Sequence, residues 1–229
     1  MARITGSNGG RTAEAIRRAA IRLIHRQGFA AMNLRELAAE VGIQPGSLYN
    51  HIETKQGLLF ELMREHMQDL LSAMEAALAA APDEPMAQLR AFLAQHVLYH
   101  LERKQEVYIA NFELRALEPA NAEPILAMRR EYEDRLIGLL EAGARAGELQ
   151  VADARIAAYA LLAMLTGVCT WYRPGGRLGP EEIVAQHLEL ALSGVSGAGL
   201  GQRAPDISAG GSAPIERMRS IPAGGRTPG

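Results

Sequence analysis

An all-α fold is what this sequence predicts, and three observations carry the prediction. Of its 229 residues 48% are hydrophobic but only 5% aromatic, a balance supplied by alanine and leucine that favours helices over sheet. Apolar residues recur at i, i+3, i+4 and i+7 along most of the chain, the spacing of a helix with one buried face. No run of strict alternation bounded by turn residues competes with that pattern. The length suffices for one or two domains with real cores. A single cysteine, Cys169, excludes an internal disulfide framework and fits a reducing compartment. With neither a signal-peptide pattern nor an apolar run near twenty residues, a cytoplasmic protein with no membrane partner is expected.

Taken in order, residues 1–10 are small, polar and glycine-rich, and read as a flexible arm. Thr12 is placed to cap a first helix whose stripe is Ala15, Ile16, Ala19, Ala20, Leu23 and Ile24, with Gly28 at its end. Leu34, Leu37, Ala38 and Val41 make a second, short stripe, opposite Arg35, Glu36 and Glu40. Asn33 and Glu36 have the form of a capping box, and Gly42 supplies a left-handed stop. Pro45 then suits the first turn of a third helix over 45–51. Two helices joined by so tight a turn form a helix-turn-helix, whose second member enters a DNA major groove. Charge agrees: residues 1–55 carry eight basic and four acidic side chains, within a chain of net charge −2. The basic end is the end that would meet phosphate.

Beyond it, a long helix is predicted over 55–81, closed by Pro82. Pro85 opens another over 86–102, and a shorter one follows over 104–117. Pro119 and Pro124 bracket a break before a helix over 125–146 that Gly147 stops. Asp153 caps a strongly apolar helix reaching Tyr172, and Pro180 starts a last one over 181–192. After Val195 glycine, alanine, proline and serine dominate, so 196–229 are expected to be disordered. The expected division is a head over 11–54 and a body over 55–195.

The run Gln44-Pro45-Gly46-Ser47-Leu48-Tyr49-Asn50-His51-Ile52, with Lys55 and Leu58-Leu59 after it and Leu34-Arg35-Glu36-Leu37-Ala38 before it, resembles the recognition-helix signature of the TetR/AcrR family of transcriptional regulators. The chain departs from that signature at Asn33, Gln44 and Ile52, where Ser or Thr, Ser and Phe are usual. In the body, Asn111 to Leu117, Arg129 to Glu133, Gly143 to Leu149 and Thr170 to Leu178 look like the subgroup that senses coenzyme A thioesters in fatty-acid and steroid-ring catabolism. A bland alternative treats these as packing and turn residues, with Trp171 in the core.

The resemblance implies a homodimeric repressor, released by a small-molecule effector from a double-stranded operator with inverted symmetry. Gln44, Pro45, Gly46, Ser47 and Asn50 would meet base edges, while Tyr49, His51 and Lys55 would hold phosphate and Leu48 would be core. For the effector, flexible Met67, Met74, Met128 and Met164 stand beside Phe92, Tyr99 and Phe112 as pocket material. The body resemblance adds Arg115, Tyr132, Trp171 and Arg173, the arginines as partners for the phosphates of an acyl-coenzyme A thioester. A hydrophobic drug-like effector is the alternative. His96 and His100, four apart, have a metal-sharing spacing but no glutamate or third ligand beside them, so they are expected to line a pocket or the surface, without a metal. Leu161, Leu162, Leu165, Val168, Val184, Leu188 and Leu192 exceed what one buried stripe needs and suggest the dimer face. No nucleophile–base spacing or phosphate-cradling glycine loop marks an enzyme, and no cofactor is expected.

Overall fold

The computed structural model describes residues 8–195; the arm before Asn8 and the tail from 196 onward lie outside them. Helix α1 (Asn8–Ala31) starts ahead of the expected Thr12 cap and is broken at Gly28, whose φ of 81° and ψ of 156° only glycine adopts freely. Next come α2 (Leu34–Val41) and α3 (Pro45–Leu48). Of the capping box only the Asn33 half forms, Asn33 Oδ1 accepting from the Glu36 amide at 2.8 Å while the Glu36 carboxylate turns to Arg26 and Gln27, and Gly42 is left-handed at φ 76° as expected. Helix α3 is shorter than the expected 45–51. Its last turn loosens into turn hydrogen bonds, His51 N to Leu48 O and Ile52 N to Leu48 O, because the extended Thr54 must cap the next helix by accepting from Gly57 N. Ile16, Ala19, Ala20, Leu23 and Ile24 of α1 bury against Leu37, Ala38 and Leu48.

The body consists of α4 (Lys55–Ala80), α5 (Pro85–Glu102), α6 (Lys104–Phe112), a 3₁₀ turn (Leu114–Ala116), α7 (Pro119–Arg145), α8 (Ala154–Thr166), α9 (Val168–Trp171) and α10 (Pro180–Val195). Helix α5 is central, packed against α4, α7, α8, α9 and α10, while α6 bridges from α4 and α9 to α1 of the head. Leu89, Phe92, Leu93 and Val97 of α5 are fully buried, as that position requires. Each such side chain contributes about 1.5–3 kcal/mol of transfer free energy.

Four expectations are corrected. The helix predicted over 104–117 stops at Phe112 and ends as the 3₁₀ turn. Helix α7 begins at Pro119 and carries Pro124 inside it, since the lost bond falls on Ala120, which is exposed to solvent near the helix start. The apolar helix ending at Tyr172 is two pieces, α8 and α9, joined at Gly167. Finally, Leu161, Leu165, Val168 and Leu192 are buried within the chain. The apolar surplus instead faces outward at Ile156, Tyr159 and Met164 of α8 and Leu190 of α10, one face around the helix from the residues expected there.

Candidate functional site

On the head, Gln44, Pro45, Gly46, Ser47, Tyr49, Asn50 and His51 form one continuous exposed strip, with Tyr49 59% exposed, while Leu48 alone turns inward at 0%. Most basic residues of the head are already engaged: Arg18 with Glu14, Arg22 with Glu40, Arg26 with Glu36, and Arg17 with Glu65 of α4. Lys55 also has an intramolecular role. Its ammonium donates to the Ala30 carbonyl at 3.1 Å and sits 4.5 Å from the centre of the Phe29 ring, tying the start of α4 to the end of α1 where carbonyls face out. Arg35, exposed on α2, makes no ion pair or side-chain hydrogen bond among the described residues.

In the body, five helices and α9 enclose a cavity of about 310 Å³. Each presents one face: His66, Met67 and Leu70 from α4; His96 and His100 from α5; Ala110, Asn111 and Phe112 from α6; Arg129, Tyr132 and Glu133 from α7; Leu162, Ala163 and Thr166 from α8; Cys169 and Thr170 from α9. The wall is polar at its most buried part. His96 is saturated, with Nδ1 2.9 Å from the Tyr132 hydroxyl and Nε2 3.2 Å from Thr166 Oγ1. The His100 ring stacks on it at 3.8 Å and donates from Nδ1 to the His96 carbonyl at 2.7 Å. Tyr99 donates its hydroxyl to the His66 carbonyl at 3.2 Å.

Burial keeps these imidazoles neutral: it pushes His66 down to about 3 and His100 to about 4, and holds His96 well below its usual range. The same burial raises the Tyr132 hydroxyl and the Cys169 thiol, leaving the latter a poor nucleophile. Arg129 is lowered by burial but stays charged, as a guanidinium does. It reaches Asn111 Oδ1, and Glu133 attracts it without closing an ion pair. Both ring nitrogens of His96 are committed to hydrogen bonds, and no group of three His, Cys, Asp or Glu side chains placed to hold a metal exists among the described residues.

Cavity and head are joined through α6. Phe112 in the cavity wall packs on Tyr108 at 4.5 Å, and Tyr108 meets His25 of α1 edge-on at 4.9 Å. Just beyond, Gln56 at the start of α4 donates to the Ala116 carbonyl at 2.8 Å and accepts from the Glu118 amide at 3.2 Å. A ligand that displaces α6 therefore pulls on both α1 and α4.

Comparison with known proteins agrees with this architecture. The family of bacterial regulatory proteins of the tetR type matches residues 16–62, and the tetracyclin repressor-like C-terminal domain matches residues 82–195. A solved bacterial regulatory protein of the tetR family from Rhodococcus RHA1 is 31% identical, with a TM-score of 0.75 over 81% of this chain and 97% of that one. The chain belongs to the TetR family. It is a helix-turn-helix transcriptional regulator, and its relatives are regulators rather than enzymes. The transcriptional repressor KstR2 of Rhodococcus jostii (strain RHA1) is 27% identical over 194 residues, 84% of this chain and 94% of the repressor. The structure of AibR in complex with isovaleryl coenzyme A and operator DNA is 26% identical, with a TM-score of 0.72 over 78% of this chain and 97% of that one.

Within this TetR-family body, the cavity brings together Met67, His96, Phe112 and Tyr132 of the residues singled out from sequence. Phe92 and Tyr99 stand behind its wall as buried supports, Phe92 against Tyr132 and His96. Met74 is core, Met128 is half-buried outside the lining, and Met164 and Arg115 are exposed. Trp171 is 53% exposed, stacked on His187 rather than in the core, and with Arg173 it lines a separate groove. The sequence does not single out His66 or Thr166 as lining, and within the segments of the resemblance it does not pick out Asn111 or Arg129; His100, expected to line a pocket or the surface, lines the cavity. A signal was available, because His66 lies in phase with Leu59, Leu62, Met63 and Leu70, and Arg129 with Ile125 and Tyr132. A titratable residue on a core stripe marks either a satisfied network or a cavity.

Proposed function

We propose that this regulator is a homodimeric repressor released from its operator by an acyl-coenzyme A thioester bound in the α4–α9 cavity. The observation that carries the reading is Arg129, the one Lys or Arg lining that cavity, set among Met67, Leu70, Phe112 and Leu162 without an ion pair among the described residues. Such a wall suits an apolar group joined to something anionic or carbonyl-rich. AibR, seen with an acyl-coenzyme A and operator DNA, and the repressor KstR2 support the same class.

In the head, residues 11–54, Gln44, Pro45, Gly46, Ser47 and Asn50 read base edges, and Tyr49 and His51 hold phosphate. Arg35 joins the phosphate contacts, since Lys55 is occupied with Ala30 and Phe29. Residues 55–195 bind effector and partner. Two copies pair through Ile156, Tyr159, Met164 and Leu190, which places two heads on a twofold axis and calls for inverted half-sites about one helical turn apart or slightly more. The protein works where chromosomal DNA is, in the cytoplasm. Effector binding moves Asn111 and Phe112, hence α6, and through Tyr108–His25 and the Gln56 clamp shifts the head relative to α4. The shift extends only as far as the effector's preference for the released state.

A mobility-shift titration with thioesters of graded acyl size, and free coenzyme A as control, tests this. Release by a subset of thioesters, at the concentrations where they bind, is expected. Release by an aromatic drug-like compound while every thioester leaves the complex intact would replace this effector class with the multidrug type.

A further inference from the structure

The most buried part of the cavity is short of hydrogen-bond donors. His100 Nδ1 carries the ring proton, because it donates to the His96 carbonyl at 2.7 Å. In the neutral ring Nε2 is then a bare acceptor. Since Nδ1 faces the backbone of α5, the opposite edge of the ring points away from that helix, toward the cavity that His100 lines. No protein group reaches His100 Nε2 among the described residues. His66 repeats the arrangement from α4: its ring has one contact, Nδ1 at 3.5 Å from a Tyr99 hydroxyl that already donates elsewhere, and nothing at Nε2. Of the other polar groups in the lining, His96 is committed to Tyr132 and Thr166 and Asn111 to Val107 and Arg129; Glu133 offers only acceptors, and the remaining N–H donors belong to half-buried Arg129, beside Asn111.

Depth decides which part of a thioester meets these acceptors. His66 and His100 are 6% and 3% exposed, whereas Phe112, Ala163 and Thr170 are exposed and form the mouth. A coenzyme A nucleotide is too large and too charged for a cavity of 310 Å³, so the acyl end goes inward. Resting on the reading above, we infer that this acyl group carries a hydroxyl, which donates to Nε2 of His100 or His66, so that the cavity selects hydroxyacyl over plain alkyl thioesters. A ketone or carboxylate has only acceptors, which suit Arg129 and not these two nitrogens, and an ammonium would be repelled by Arg129. Burial of both rings, which holds them neutral near pH 7, keeps the acceptors available.

The test is isothermal titration of the full chain with matched thioesters of one chain length: 3-hydroxyacyl, 3-oxoacyl and unsubstituted acyl. The hydroxyacyl thioester is expected to bind about tenfold tighter than the unsubstituted one, the scale of leaving a buried acceptor unpaired, and the 3-oxo compound to owe no part of its affinity to His100 or His66. His100→Phe and His66→Phe, folded by circular dichroism, should between them reduce the ratio of the two affinities to about onefold, whatever they do to the affinity common to both thioesters. In the wild type, a nitrogen-15 spectrum should show an unprotonated Nε2 moving upfield with the hydroxyacyl compound only, a readout that needs no variant. Equal affinity for the hydroxyacyl and unsubstituted thioesters, with both releasing DNA, overturns this inference and leaves the thioester reading intact. A preference that survives both substitutions, or an unmoved Nε2, also overturns it. Binding by none of the thioesters overturns both readings.

Discussion

The head presents its proposed reading surface in one stretch, Gln44 to His51, solvent-exposed around a single inward Leu48. The body assembles its cavity from residues as far apart as His66 and Thr170, and its three histidines and Tyr132 there are buried. The contrast follows from what each meets. A DNA groove has fixed dimensions, so its reader is held to a local spacing. A small molecule needs only volume and matched donors and acceptors, which distant helices can supply in many ways.

Acid should act on the body first, and this is the largest effect expected. His66, His96 and His100 are neutral when folded, with His66 and His100 lowered to about 3 and about 4. Below about pH 6.5 the unfolded chain takes up protons that the folded chain refuses, down to the folded pKa. Their contribution is therefore complete above pH 6.5 and lost as pH falls toward 4, by up to about 1.4 kcal/mol per pH unit for each histidine. Urea titrations at pH 7 and pH 5 measure it; equal midpoints would mean that the cavity opens to water too easily for burial to matter.

Leu48→Ala should act on the head alone, at about 2–5 kcal/mol for a fully buried leucine. Operator binding is expected to vanish while thioester binding persists. If calorimetry shows one transition for the whole variant chain, head and body unfold as a unit and the contrast between them is weaker than drawn. Asn50→Ala should cost about 1–3 kcal/mol at the base it contacts. A binding profile across single-base operator variants would show loss of discrimination at one position per half-site, and uniform weakening would make Asn50 a phosphate contact instead.

Gln56→Ala tests the join. Both ligands should bind alone, but the factor by which effector weakens DNA affinity should shrink severalfold, about 1 kcal/mol of coupling. Full coupling in this variant would assign transmission to Tyr108 and His25. Smallest is the salt response: Arg35→Ala should lower the slope of log affinity against log salt by about one unit. Lys55→Ala should leave that slope unchanged and lower the melting temperature, because its ammonium bonds Ala30.

The legibility of the chain divides along the same line. Caps at Asn33 and Gly42 act within a few residues, and they were readable because nothing distant is needed to satisfy them. The core stripes of α4 and α5 were readable for the same reason. Pro124 misled because its effect depends on where the helix begins, and Pro119 had already set that. Trp171 is expected at the effector by resemblance, or in the core by its size, and it is at neither, because the break at Gly167 and the stack on His187 leave it exposed on a separate groove. The cavity histidines look like exceptions to a core stripe, and for His96 only the arrival of Tyr132 and Thr166 from other helices supplies the partners.

Cys169 offers a kinetic view of this cavity. It is the chain's single thiol, 1% exposed and part of the wall. A maleimide has to wait for the helices to part, so its rate of addition counts openings rather than reporting a static surface. A bound effector would stop that clock, and the residual rate would give the lifetime of the closed state without any label on the ligand.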